Sequence, residues 1–394
     1  ATRKVAAERY PSVLALANDL RCFVRDEPVS VYVEGPARRL VRAAARRPAL
    51  ATGVLAGIVL AAAVLVISSL AKSASEASRR AHDVEGSRRV LVAVGRRVQE
   101  IDVKLSDLAA GLQAIAGAAV ESLELDGGLA PFKPAPELKP SAAYGGAGES
   151  FEQAVAEWPG MEAGEPVPAS AQKLLGIERW YRRALFEALS AKDRRASEAE
   201  RKQALFDGRG MLMRCFVGLE DGSFAQYPAR AVAHRFDPRE RPWYQMGKSN
   251  MELVWRHPVI DVAKTTLRMP VTVGLTGSNS QFVGVAGCEL RVANLSHELA
   301  LDLPGFRRAY LVGEDGRILV AEGLEAQLLA ATHDVNALPA MPEIDDKALL
   351  EHLKAGEQGG YLLGAGGKLT VFARMISPAW TYVVELDSAP YLSR

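Results

Sequence analysis

Arg241, Trp243 and Tyr244 stand together in the stretch RPWY, and their side chains form a set that suits a small anion. The guanidinium offers a planar pair of donors to a carboxylate, the indole one N–H, and the phenol a hydroxyl beside an apolar ring. Downstream, Asp261 and Glu289 could supply carboxylates to an ammonium group, so a zwitterion would satisfy the whole set. The competing reading of the same residues is structural, with Trp243 and Tyr244 as core aromatics and Arg241 paired to a nearby acid.

Other chemistries find no footing. The six histidines, His82, His234, His257, His297, His333 and His352, show no i, i+4 or HExxH spacing, so no metal centre is expected. His257 is the one placed to border a pocket with Asp261. There is no GxSxG motif and no glycosidase-like pair of acids, and no cofactor is implied. The three cysteines, Cys22, Cys215 and Cys288, are too scattered for a disulfide scaffold. With 48 Lys and Arg against 47 Asp and Glu, the net charge of +1 makes no basic field for nucleic acid. At 394 residues and 48% hydrophobic composition the chain can bury more than one core.

The elements that would hold those residues begin with an uncharged run from Ala49 to Leu70. As a helix it extends about 33 Å, enough to cross a membrane's hydrocarbon core. Arg38, Arg39, Arg42, Arg46 and Arg47 precede it, while Lys72, Arg79 and Arg80 follow. That asymmetry predicts a single-pass protein of the cell inner membrane, N-terminus cytoplasmic and C-terminal part periplasmic or extracellular. Ala49, Gly53, Gly57 and Ala61 recur at every fourth position, a pattern that lets two helices pack closely and points to a homodimer. Beyond the run, Val90, Val94, Val98, Ile101, Leu105, Leu108, Leu112 and Ile115 keep helical spacing, which predicts a long stalk helix packed on one side. Asp126-Gly127-Gly128 ends it, residues 129–169 read as irregular, and a second amphipathic helix is expected from Ala171 to Leu189.

The remainder repeats itself. CFVGLEDGSFA (215–225) and YLVGEDGRILV (310–320) each join two apolar strands through an Asp-Gly turn, and each is followed by further strands, at 267–275 and 281–290 in one copy and 369–376 and 380–386 in the other. The prediction is α+β, with two tandem domains built on antiparallel sheets. Cys215 and Cys288 fall on the first and last strands of the first copy, as buried thiols or as a disulfide.

The long helix, the two hairpins, the phrase FDPRERPWY (236–244) and the strand GVAGCEL (284–290) together resemble the double Cache sensor module, two PAS-like domains carried outside the membrane by bacterial receptors. The likeness spans about residues 71–390. It implies that Arg241, Trp243 and Tyr244 take a ligand carboxylate and that Asp261 and Glu289 take an amine. Phe236 and Val259 stand where the family's amino-acid pattern has tyrosines, and Glu289 where it has aspartate, which leaves an amino acid, another amine and a carboxylate as the expected ligand classes.

Near the N-terminus, ERYPSVLALANDLRCFVRDEPV (8–29) resembles the last helix of bacterial Hanks-type serine/threonine protein kinases, with Arg9 matching an architectural arginine. No phosphate-binding loop, catalytic loop or Asp-Phe-Gly accompanies it, so no catalytic residue is expected here. The expected organisation is a kinase-domain remnant at 1–33, a basic linker at 34–48, the transmembrane helix at 49–70, the stalk helix at 71–126, a membrane-distal Cache domain at 127–299 and a membrane-proximal one at 300–394. The function expected is a small-molecule sensor signalling across the membrane from a receptor kinase. The alternative is an anchored domain that binds a protein or cell-wall partner.

Overall fold

No proline interrupts the chain between Pro48 and Pro131, and the backbone is helical from the first of these almost to the second. The computed structural model describes every residue except 1–3, 6, 8, 26, 32–34, 38–40, 42–47, 126, 128, 130, 142–143, 232–235, 261–264, 333–337 and 393–394. It divides into two units, residues 1–81 and 82–394.

In the first unit, helix α1 (Val13–Val24) starts where the Ser12 hydroxyl accepts from the Ala15 amide at 3.1 Å. Its Asp19 carboxylate collects the Ser30 amide and hydroxyl and the Tyr10 hydroxyl. Val13, Leu20, Phe23 and Val24 remain exposed. Helix α2 (Pro48–Glu124) supplies residues to both units. Its apolar stretch, with Val59, Leu60, Leu65, Ile67 and Leu70 all exposed, is long and apolar enough to cross a membrane.

In the second unit, the α2 residues Val90, Val94, Val98, Ile101, Leu105, Leu108, Leu112 and Ile115 are all buried, as their spacing requires. They pack on one face of each of two antiparallel sheets, in one continuous core. Strands β1 (Lys139–Pro140), β2 (Gly148–Ser150) and β3 (Val155–Glu157) lie in the stretch expected to be irregular. The expectation there was wrong because short strands among Pro and Gly leave no alternation to read. Helices α3 (Ala169–Gly176) and α4 (Glu178–Glu187), broken at Ile177, replace the single helix expected at 171–189. Helices α5 (Ala191–Arg194) and α6 (Glu198–Phe206) lead to strands β4 (Leu212–Leu219), β5 (Phe224–Tyr227) and β6 (Ala229–Arg230).

Helix α7 (Pro242–Ser249) follows, then β7 (Val254–Trp255), β8 (Val259–Ile260), β9 (Leu267–Thr276), β10 (Phe282–Arg291) and helix α8 (Val292–His297). The first large sheet runs β3-β5-β4-β10-β9-β7, with β8 also on β9. The second is made by β11 (Phe306–Val312), β12 (Ile318–Ala321), β13 (Gly359–Gly364), β14 (Lys368–Arg374) and β15 (Thr381–Asp387), in the order β12-β11-β15-β14-β13, with helices α9 (Leu324–Ala331) and α10 (Lys347–Lys354) between β12 and β13. The α+β class and the two antiparallel sheets are those expected from the sequence. In both sheets the strand that comes last in the chain sits at the centre, β10 between β4 and β9 and β15 between β11 and β14.

Candidate functional site

The face of the first sheet turned away from α2 carries Glu289 and is covered by the segment that holds Phe236, Arg241, Trp243 and Tyr244. Phe216 and Gly218 on β4, Phe224 and Gln226 on β5, Val285, Gly287 and Glu289 on β10 and Thr272 and Gly274 on β9 share it by register. Helix α7 is drawn close to it by residues without side chains. A Cβ on Gly247 would collide with Val285, and one on Gly274 would stand 2.8 Å from the Gly247 carbonyl oxygen. Arg241 is the N-cap of α7 and Pro242 its first residue, so Trp243 and Tyr244 lie in the opening turn.

Trp243 rests on the sheet. Its ring is 4.6 Å from that of Phe216, and a Cβ on Gly218 would stand 2.8 Å from it. Tyr244 is buried between Trp243 and Phe282, at 5.8 Å from each. Its hydroxyl has no hydrogen-bond partner, and burial pushes its pKa up to about 12. Phe236 stacks with Phe224 at 4.8 Å, and the Arg241 guanidinium lies 4.7 Å over the Phe236 ring. The Arg241 Nε is buried without a partner. Trp243 and Tyr244 thus pack as core aromatics against the sheet, while the Arg241 guanidinium rests on a ring and, among the described residues, on no acid.

Glu289 departs from expectation. The Nε and Nη2 of Arg214, directly opposite on β4, donate to its two oxygens at 2.7 Å each, and Arg268 Nη1 donates to the same carboxylate. Burial alone would raise its carboxyl, but the two guanidiniums outweigh it and hold it down at about 2. Both of its oxygens already accept from guanidiniums, a pairing that the expected role as an amine ligand did not anticipate. Val259 is half-buried on β8, paired with Arg268 of β9. Asp261 lies outside the described residues. His257 is exposed and pairs with Asp315 of the second hairpin turn at 3.3 Å.

Sequence reasoning missed Arg214, Arg268, Gln226 and Thr272. Gln226 is fully buried and accepts from Arg214 Nη1 at 3.1 Å, and the Thr272 hydroxyl is fully buried with no partner. A signal was available, since Arg214 interrupts the apolar run MLMRCFVGL and Arg268 opens LRMPVTV. Cys215 and Cys288 are free, buried and paired across β4 and β10, with the Cys288 thiol donating to Cys215 Sγ at 2.8 Å. Among the described residues no three His, Cys, Asp or Glu side chains gather to hold a metal ion.

No protein-family model matches the chain. Three curated proteins share part of its sequence. The methyl-accepting chemotaxis protein McpG of Pseudomonas putida is 34% identical over 106 residues, 27% of this chain and 16% of that protein. PctB of Pseudomonas aeruginosa is 29% identical over 155 residues, 36% of this chain and 24% of that protein, and McpA of Pseudomonas putida is 26% identical over 110 residues, 27% and 17%. The chain thus matches less than a quarter of the length of each. Among solved structures, it is similar to the ligand-binding domain of the Pseudomonas fluorescens chemoreceptor CtaA in complex with L-isoleucine, at TM-score 0.43 and 16% identity, covering 79% of this chain and 95% of that one. It is also similar to that of the Pseudomonas aeruginosa chemoreceptor PctC in complex with GABA, at TM-score 0.40 and 15% identity, covering 77% and 99%. The sequence relatives are chemotaxis proteins, so they bear on the expected sensor and not on the expected kinase.

Proposed function

We propose that this chain is the sensory part of a membrane receptor, and that the α7-covered face of its first sheet binds a small molecule outside the membrane. One observation carries the reading: Arg241 Nε and Tyr244 Oη, at the start of α7, and Thr272 Oγ1, on the sheet face that α7 covers, are buried polar atoms without partners, and the aromatic rings of Phe216, Phe236 and Trp243 lie on the same side of the sheet. Native folds leave few such groups unpaired, and an unpaired buried group costs about 1–3 kcal/mol, which a ligand bearing acceptor oxygens would recover. The partial identity to chemotaxis proteins supports a sensory role.

In this reading residues 127–299 form the ligand-binding domain and 300–394 a second one, both on the stalk part of α2, with the uncharged run spanning the membrane and two chains paired through it. The resemblance of residues 8–29 to a kinase's final helix supports a kinase as the output, and the exposed apolar face of α1 suits a helix that packs against more of such a domain. Coding sequence upstream of Ala1 with a phosphate loop and catalytic loop would bear that out, and chemotaxis-type sequence there would replace it.

The site is tested by thermal shift of the full chain in detergent against a metabolite library. Stabilisation by a library compound that disappears in Arg241→Ala is the expected result. A shift that survives the substitution, or binding only to a protein or cell-wall fragment, removes the small-molecule reading.

A further inference from the structure

The second sheet holds a copy of the Glu289 arrangement. Glu385 lies on the central strand β15, opposite Arg308 of β11 and Thr370 of β14. Arg308 grips its two oxygens at 2.9 and 2.8 Å, the Tyr310 hydroxyl donates at 3.2 Å, and Lys368 Nζ stands 3.7 Å away. In the first sheet the carboxylate of the central strand faces Arg214 on one neighbour and Pro270 on the other. The second cation comes two positions before that last residue in both sheets, Arg268 before Pro270 and Lys368 before Thr370. The carboxylate gripped by flanking cations is thus a repeated part of the sheet.

What lies beside the clamp differs. In the second sheet the next row is Tyr310, Val383 and Phe372, closed over by Ile344 and by Leu349 of α10 in a filled core. In the first sheet the same row is Phe216, Gly287 and Thr272, and the row after it has Gly218 where the second sheet has Val312. Because the clamp persists where side chains fill the face, its carboxylate serves the sheet and not a ligand. Glu289 is then spent on Arg214 and Arg268 in the first sheet as well.

Among the described residues the charge left on that face is positive, with Arg214, Arg268 and Arg241 against the one carboxylate of Glu289, while Arg239 and Asp237 pair with each other at 2.6 Å. Besides the unpartnered atoms of Arg241, Tyr244 and Thr272, Arg268 Nε is buried with no acceptor. A carboxylate supplies the acceptors these groups lack, whereas an ammonium carries donors only and gives the two guanidinium nitrogens no acceptor.

Resting on the reading that this face is the ligand site, we propose that its ligand is a small carboxylate with an apolar or aromatic body and no ammonium group. The full chain in detergent is titrated by calorimetry with matched probes that share a body and differ in the amine: 3-phenylpropionate and L-phenylalanine, 4-methylpentanoate and L-leucine, propionate and L-alanine. The expected result is at least tenfold tighter binding of one or more carboxylates than of the matching amino acid. Arg241→Ala should abolish that binding, and Thr272→Val, which keeps the side chain's shape, should weaken it several-fold. Amino acids binding equally or better, lost in Arg241→Ala, would overturn the carboxylate assignment and leave the site standing, and weakening by Asp261→Asn would then name the ammonium's partner. Binding untouched by both Arg241→Ala and Thr272→Val overturns the site reading with it. No detectable heat from any probe at millimolar concentration overturns the ligand class.

Discussion

Glu289 is the residue whose surroundings decide most about this protein. Its carboxyl is held at about 2 against 4.5 in an unfolded chain, so the folded state binds its proton less readily than the unfolded state does. The stability it contributes is therefore fully present above about pH 4.5 and is lost as the pH falls towards 2. A shift of that size corresponds to about 3 kcal/mol. Glu289→Gln leaves two partly buried guanidiniums without a counter-charge, a loss of up to about 3–5 kcal/mol at neutral pH. Urea unfolding at several pH values should therefore show a lower plateau for the variant and a smaller loss than the wild type between pH 5 and 3. Parallel pH profiles for the two proteins would show that Glu289 is not the titrating group. Cys215 and Cys288 add a second residue-scale expectation. Burial raises the Cys215 thiol far above its usual range, so a thiol reagent should reach only Cys22 in the native chain and the other two after unfolding. Two thiols missing from the unfolded count would mean a disulfide instead.

At the scale of elements, periodic signals were legible and pairing signals were not. The buried stripe of α2 from Val90 to Ile115 and the two Asp-Gly hairpins could be read directly, the hairpins because Gly222 and Gly316 adopt the left-handed φ of 88° and 79° that the turns need. The Glu289 clamp could not be read. Arg214 is 75 residues away in sequence, and only the β4–β10 register makes it a neighbour. The strands at 139–157 escaped for the opposite reason, being too short to show alternation. Asp102 shows a third kind of silence. It sits on the buried stripe of α2 between Val98 and Leu105, and its carboxylate accepts the amides of Ile376 and Ser377 in the β14–β15 connection at 2.9–3.3 Å. A sequence shows only a polar residue on an apolar face, where the structure has a tie between helix and second sheet. Asp102→Ala orphans both amides and should cost about 1–3 kcal/mol in chemical unfolding. An unchanged midpoint would mean that water replaces the carboxylate there.

At the scale of the whole molecule, the proposed function requires that a ligand on the first sheet be felt across a membrane. The two sheets share one core with α2, so a change in the first sheet's packing on the helix reaches residues that also pack against the second. Such a change shifts an equilibrium only if the helix has two arrangements of different energy, and pairing with a second helix is the simplest way to supply them. The uncharged run is suited to pairing. Neither Gly53 nor Gly57 has anything within 4 Å of an added Cβ, so the groove that they form along α2 is open, and lipid gives little apolar drive to fill it by other means. Gly53→Ile combined with Gly57→Ile closes the groove without adding charge. Self-association of the full chain in a membrane two-hybrid assay should fall several-fold, while Val59→Leu with Val66→Leu, which leaves both glycines in place, should keep it. An unchanged signal for the glycine pair would move the dimer contact out of the membrane span, and signalling would then have to run through contacts between the extracytoplasmic domains.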